Sequence, residues 1–202
     1  GDESMLAACR KLWDNIVDKQ MYITGGVGSM PQGEAFSFDY DLPNDTVYSE
    51  TCASIGLIFF AQRMLRISPD SRYANVMERA LYNTVVAGMA RDGRHFFYVN
   101  PLEVDPKACG GANHKFDHIK TVRQEWFGCA CCPPNIARLL ASLGEYIYTV
   151  QGDTVYAHLY IGGEAELPTS GGKVKLTQTT DYPWDGKVRF EVQPEGEGRF
   201  TL

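Results

Sequence analysis

PNIARLLASLGEYIYTVQGDTVYAHLYI, residues 134–161, contains two periods in succession. Up to Tyr148 the apolar residues Ile136, Leu139, Leu140, Leu143 and Ile147 recur every three or four positions, which predicts a helix from Pro134 to about Tyr148. Beyond it Val155, Ala157, Leu159 and Ile161 alternate with Tyr156, His158 and Tyr160, the pattern of a half-buried strand. The change falls in Thr149-Val-Gln-Gly-Asp153, so the chain reads as mainly α followed by β, with a helical domain over 1–150 and a β domain over 151–202.

Working back toward the N-terminus, three more helices are expected. Leu6, Cys9, Trp13, Ile16 and Val17 share one stripe, starting near Ser4 and ending before Gly25-Gly26. A second helix should follow Pro43-Asn44-Asp45 and run to about Ile67, apolar on most faces like a helix inside a multi-helix array. Ser68-Pro69-Asp70 breaks it, and a third carries Tyr73, Val76, Met77, Ala80, Leu81 and Val85. Such short connections imply antiparallel helical hairpins. Working forward, Val174 and Leu176, then Val188, Phe190 and Val192, mark two further strands. Three or four strands with no closing partner make a marginal sheet, so the chain reads as a fragment cut at both ends.

Composition excludes several functions. The chain has 202 residues, 44% of them hydrophobic, and a net charge of −6, which argues against nucleic acid or an anionic membrane as partner. No run approaches the roughly 20 apolar residues that span a bilayer. The first residues, Gly1-Asp-Glu-Ser4, lack the basic and apolar regions of a signal peptide.

The cysteines carry more information. Of six, Cys129, Cys131 and Cys132 crowd into Gly128-Cys-Ala-Cys-Cys-Pro-Pro-Asn135. Adjacent cysteines bridge each other only with strain, and a chain with a large core has no need of a disulfide scaffold. Soft-metal binding or thiolate chemistry in a reducing compartment, the cytoplasm, is the better reading, and a thiol redox role remains open. Proline is welcome in a first helical turn, which places the two sulfurs at the mouth of the fourth helix, where free amides favour thiolate. A divalent soft metal needs about four ligands. Glu50-Thr51-Cys52 is the best supplier of the remainder. Residues i and i+2 lie about 200° apart on a regular helix, so Glu50 can share an ion with Cys52 only from an extended or distorted entry.

A second cluster comprises the glycine-rich Thr24–Ser29 and the carboxylates Glu34, Asp39, Asp41 and Asp45, with Tyr40 and Tyr48 among them. The glycines lack the Gly-Lys-Ser/Thr and the preceding strand of a nucleotide site. Acids for proton transfer and rings for stacking instead fit a sugar site. The long stretch from Ala90 to Cys129 has little periodicity, and a loop of that length in a compact protein points to function.

With these motifs in view (ITGGVGS 23–29, FDYDLPND 38–45, YSETCAS 48–54, FYVNPL 97–102 and WFGCACCPPN 126–135) the sequence resembles glycoside hydrolase family 127, zinc-dependent retaining β-L-arabinofuranosidases. The resemblance implies part of an (α/α)6 barrel leading into a β-sandwich. It implies Zn2+ as cofactor, held by Glu50, Cys52, Cys131 and Cys132. It further implies Cys131 as nucleophile, Glu34 as general acid/base, Tyr98 lining the sugar pocket, and an arabinofuranoside oligosaccharide or glycoconjugate as substrate. A homodimer is compatible with this reading. A non-catalytic, zinc-structured carbohydrate-binding protein is the other reading of the same residues.

Overall fold

The computed structural model describes residues 2–109, 114–196 and 198–202. Helices come first and antiparallel sheets follow. Helix α1 spans Glu3–Asn15, with Asp2 accepting the amides of Ser4 and Met5 as its N-cap, and a π-helical turn continues over Ile16–Gln20. Helix α2 spans Thr51–Ile67, and α3 spans Ser71–Ala80 with a second π-helical turn over Leu81–Val86. Helix α4 spans Cys132–Ala141 and α5 is one turn, Gly144–Ile147.

Three boundaries differ from expectation. Helix α2 begins later, because residues 44–46 form a turn and Glu50 is bridged to Val99 as extended chain. Helix α4 begins earlier, so Pro133 and Pro134 occupy its first turn, where their missing amides cost nothing. The fourth predicted helix breaks ahead of Gly144, and Tyr148–Gln151 is a strand, β1. A closed six-hairpin ring needs more helices than the described residues hold.

The backbone divides into two compact units, Gly1–Ala61 with Arg79–Leu139, and Gln62–Glu78 with Leu140–Leu202. In the first, Trp13, Ile55, Ile58, Leu81, Val85 and Leu139 are buried, and Trp13 meets Phe60 edge-on at 5.4 Å. Gly25 sits at φ 84, where a Cβ would lie 2.7 Å from the Ala80 backbone, so this turn of the glycine-rich segment requires glycine. The segment itself folds back on Tyr22, whose amide reaches Gly26 O at 2.9 Å, and opens no helix, which removes the phosphate-loop reading.

In the second unit β1 pairs with β2 (Thr154–Ala157) through a two-residue turn at Gly152, and β3 (Gly163–Thr169), β4 (Gly172–Thr180) and β5 (Val188–Pro194) form a separate antiparallel sheet in that order. Along β4, Val174, Leu176 and Gln178 face inward and alternate with lysines and threonines. The predicted strand over 155–161 stops at Ala157, because the carbonyls of Leu159 and Ile161 are taken by the Gln178 side-chain amide instead of a neighbouring strand. His158 is half-buried, with Nε2 2.9 Å from Thr149 Oγ1, and burial pushes its pKa down to about 4.

Two stability measurements follow from this packing. Gly25→Ala should lower stability by about 2 kcal/mol, from strain at positive φ and the clash with Ala80. Gly56→Ala, inside α2 with open space around it, should raise stability by about 0.5 kcal/mol; urea unfolding compares the two. Because the folded pKa of His158 lies below the unfolded value of about 6.5, the unfolded chain takes up the proton first. Stability is therefore full above about pH 6.5 and falls as the pH drops toward about 4. His158→Gln should flatten that slope in urea midpoints taken at pH 7 and pH 4.5.

Candidate metal centre and adjoining cleft

The site is built by two extended segments and one helix start. Residues 48–51 lie against 97–100: Glu50 bridges Val99, Thr51 N donates to Tyr98 O at 2.9 Å, and Asn100 N reaches Ser49 O at 3.2 Å. Side chains repeat the tie, with Thr51 Oγ1 donating to Phe97 O at 2.8 Å and Asn100 Nδ2 to Ser49 O at 3.0 Å. This holds Glu50 in extended chain one residue before α2 and Cys52 in its first turn, the distorted entry that the i, i+2 spacing demands. Cys132 opens α4, and Cys131 precedes it.

One ligand atom from each of Glu50, Cys52, Cys131 and Cys132 lies within 4.8 Å of the others. The sulfurs of Cys52 and Cys132 are 3.7 Å apart, as are those of Cys131 and Cys132, and Cys131 Sγ is 3.2 Å from Glu50 Oε1. These are not disulfide distances, since a bond would need about 2.05 Å. They match the edges of a tetrahedral thiolate site, because metal–sulfur bonds of about 2.3 Å put ligand sulfurs about 3.8 Å apart, so the four residues could hold a cation. Cys132 is fully buried and Glu50 nearly so.

The thiols differ in ionisation. The Cys132 sulfhydryl beside Cys52, with help from the Asn135 side chain, holds the Cys52 thiol below its usual range. Burial pushes the Cys131 thiol up to about 12, and the neighbouring Cys52 holds Cys132 well above the usual thiol range. Cys52 is therefore the most readily ionised of the three, and a divalent ion would accommodate all of them as thiolates.

Next to the Glu/Cys cluster is a cleft of about 310 Å³ whose lining includes Glu34, Tyr48, Tyr98, His118, Phe127 and Cys129. Tyr98 is buried and joins the two: Cys131 Sγ lies 3.2 Å from its hydroxyl, which donates to Glu34 Oε1 at 3.2 Å. Tyr48 donates to the same Oε1 at 2.9 Å. Burial raises the pKa of both phenols, so they stay protonated donors. Glu34 is exposed at the rim with φ 51, a conformation few side chains adopt.

The other candidates fall elsewhere. Asp39 pairs with Lys19 at 2.6 Å and Asp45 with Lys115 at 3.0 Å, so both anchor loops. None of the four histidines joins the cluster: His95, His114, His118 and His158 bond Asp92, Asp117, Thr46 O and Thr149. Cys109 packs on the apolar cluster under the site, and Cys129 is exposed at the cleft. Part of the long 90–129 loop lies outside the described residues; the rest supplies Tyr98, His118 and Phe127. Two residues were not anticipated in their roles: Tyr48 as a partner of Glu34, and Asn135 as a partner of Cys52. Asn135 was visible in the sequence, three and four residues beyond the cysteine pair.

Comparison with known proteins agrees with this geometry. Residues 1–145 match the model of the β-L-arabinofuranosidase GH127 catalytic domain, and residues 154–202 match that of the GH127 middle domain. The chain belongs to glycoside hydrolase family 127. It is 45% identical over 194 residues to a non-reducing end β-L-arabinofuranosidase of Bifidobacterium longum subsp. longum, covering 95% of this chain and 29% of that protein. A crystal structure of a GH127 β-L-arabinofuranosidase from Geobacillus stearothermophilus T6 superposes with a TM-score of 0.94 at 58% identity, over 99% of this chain and 31% of the other. A second GH127 β-arabinofuranosidase structure gives 0.85 at 44% identity, over 95% and 28%. The chain thus spans about three-tenths of the length of these GH127 relatives.

The ionisation pattern is open to a direct check. After chelation at neutral pH, iodoacetamide should label Cys52 ahead of Cys131, read by peptide mass. A bound divalent ion should protect both.

Proposed function

We propose that the parent enzyme is a retaining glycoside hydrolase that releases terminal β-L-arabinofuranose from an oligosaccharide or glycoconjugate. In this reading residues 1–150 are the C-terminal part of an (α/α)6-barrel catalytic domain, residues 151–202 begin a β-sandwich domain, and the enzyme works in the cytoplasm. Glu50, Cys52, Cys131 and Cys132 hold Zn2+, to which three thiolates and one carboxylate are suited. When bound, the ion keeps the sulfurs ionised at neutral pH.

The chain's own residues then perform the displacement. Tyr98 and the cleft walls orient the furanose. Cys131 Sγ attacks the anomeric carbon as the glycosidic C–O bond breaks, and Glu34 gives its proton to the departing oxygen. Glu34 next takes a proton from water, whose oxygen attacks the same carbon, and the C–S bond breaks with net retention.

The observation that carries this reading is the bridging hydroxyl of Tyr98. It puts Cys131 Sγ and Glu34 Oε1 no farther apart than two 3.2 Å contacts laid end to end. Retaining enzymes space their paired groups at about 5–5.5 Å, whereas inverting enzymes leave about 6.5–9.5 Å for a water. The direct test is hydrolysis of a β-L-arabinofuranoside by the full-length enzyme, with the product anomer followed by NMR. The β anomer should form first, Glu34→Gln should lose about 10²–10⁴-fold in turnover, and the enzyme should contain stoichiometric zinc. Turnover by Cys131→Ser with its metal retained would overturn the nucleophile.

A further inference from the structure

We propose that Tyr48 is a positioning residue for proton transfer: its hydroxyl and that of Tyr98 together occupy Glu34 Oε1, which leaves Oε2 as the oxygen that exchanges the proton. The inference rests on Glu34 as acid/base and extends that reading.

A carboxyl oxygen has two lone pairs, and both phenols converge on the same one, at 2.9 and 3.2 Å. A general acid delivers its proton from one oxygen. If the proton can reside on either, part of the population is unproductive; donors on Oε1 drive it to Oε2. The two tyrosines are not equivalent in this. The Tyr98 hydroxyl also accepts from the Cys131 sulfhydryl at 3.2 Å, so it is engaged with the candidate metal ligands as well as with Glu34. The Tyr48 hydroxyl serves Glu34.

Its own placement is fixed on every side. The ring meets Tyr98 edge-on at 6.0 Å and lies against His118 at 5.9 Å, and His118 Nε2 is anchored 3.1 Å from Thr46 O. The Tyr48 amide donates to Ser29 O at 3.3 Å. Both ends of the Tyr48–Glu34 bond sit beside strained backbone, Glu34 at φ 51 and Ser49 at φ 41, as at sites where geometry is held against local preference. Besides the two tyrosines, the ionisable groups facing Glu34 across the cleft are Asp117, His118, Lys120 and Cys129, with Glu50 and Cys131 beyond Tyr98. A change confined to Tyr48 leaves all of them in place.

The experiment compares full-length wild type with Tyr48→Phe, which keeps the ring and removes the hydroxyl. For an alkyl β-L-arabinofuranoside, whose leaving oxygen depends on protonation, kcat/KM should fall about tenfold. For an aryl substrate with an acidic phenol it should change less than about threefold. Zinc content and melting temperature should stay unchanged. Equal losses with both substrates, or no loss with either, overturn the positioning role. A second variant, 3-fluorotyrosine at position 48, keeps the hydroxyl and should retain the wild-type ratio of alkyl to aryl rates; a ratio as low as that of Tyr48→Phe counts against the proposal. Failure of the underlying reading is separate, since it shows as undiminished alkyl turnover in Glu34→Gln with Tyr48 intact.

Discussion

Everything at this site depends on one short backbone pairing, residues 48–51 against 97–100. It is only four residues long, yet it is tied by the Glu50–Val99 bridge, the Thr51 amide on Tyr98 O, and the Asn100 side chain on Ser49 O. One strand of the pair delivers a carboxylate and, within the first turn of α2, a thiol. The other delivers the tyrosine that links the candidate metal ligands to the cleft. Helix propensity alone would carry α2 back through Glu50 and turn the carboxylate away from Cys52. The pairing stops it one residue short.

The second constraint is electrostatic. Two unit charges about 4 Å apart repel by about 4 kcal/mol at an effective dielectric of 20, equivalent to about three pKa units. The cluster sulfurs are 3.7 Å apart and one is fully buried, so a second thiolate is prohibitive without a cation. Burial of Cys131 and the hydrogen bond between Cys132 and Cys52 add to that repulsion, leaving Cys52 lowered and the other two raised. The arrangement is poorly suited to a simple redox dithiol, in which one exposed low-pKa thiolate attacks its neighbour. It is well suited to a dication, which relieves several repulsions at once.

How much of this was legible varies with range. The helical stripes and the shift to period two near residue 150 are local, and they located the helices and the inward face of β4. Strand β1 was hidden because Tyr148 and Val150 continue the apolar run of the preceding helix, and only Gly144 hinted at the break. Strand β3, GEAELPT, carries two glutamates and a proline and reads as loop; it is tolerable at the edge of its sheet. The cysteine pair and the Glu-x-Cys triplet were visible as chemistry. That they meet across 80 residues was not visible from spacing, which limited the ligand set without closing it. Tyr48 was visible only as an aromatic near acids, because its partner lies 14 residues away on a loop whose turn depends on Glu34 adopting a positive φ.

The two clusters are finally one unit because Tyr98 has a single proton and two claimants. With Cys131 as thiol, the sulfhydryl can donate to Tyr98, and Tyr98 to Glu34, in a continuous chain of 3.2 Å contacts. With Cys131 as thiolate, the sulfur becomes an acceptor and draws on the same hydroxyl. Whatever Tyr98 gives to the sulfur it withdraws from Glu34, so a site with Tyr98 alone would leave the carboxyl unsupported whenever Cys131 is ionised. A second phenol donating to the carboxyl relieves that conflict. This explains why two tyrosines converge on one oxygen where one would satisfy it, and why the chain maintains strained backbone at Glu34 and Ser49 to bring them there.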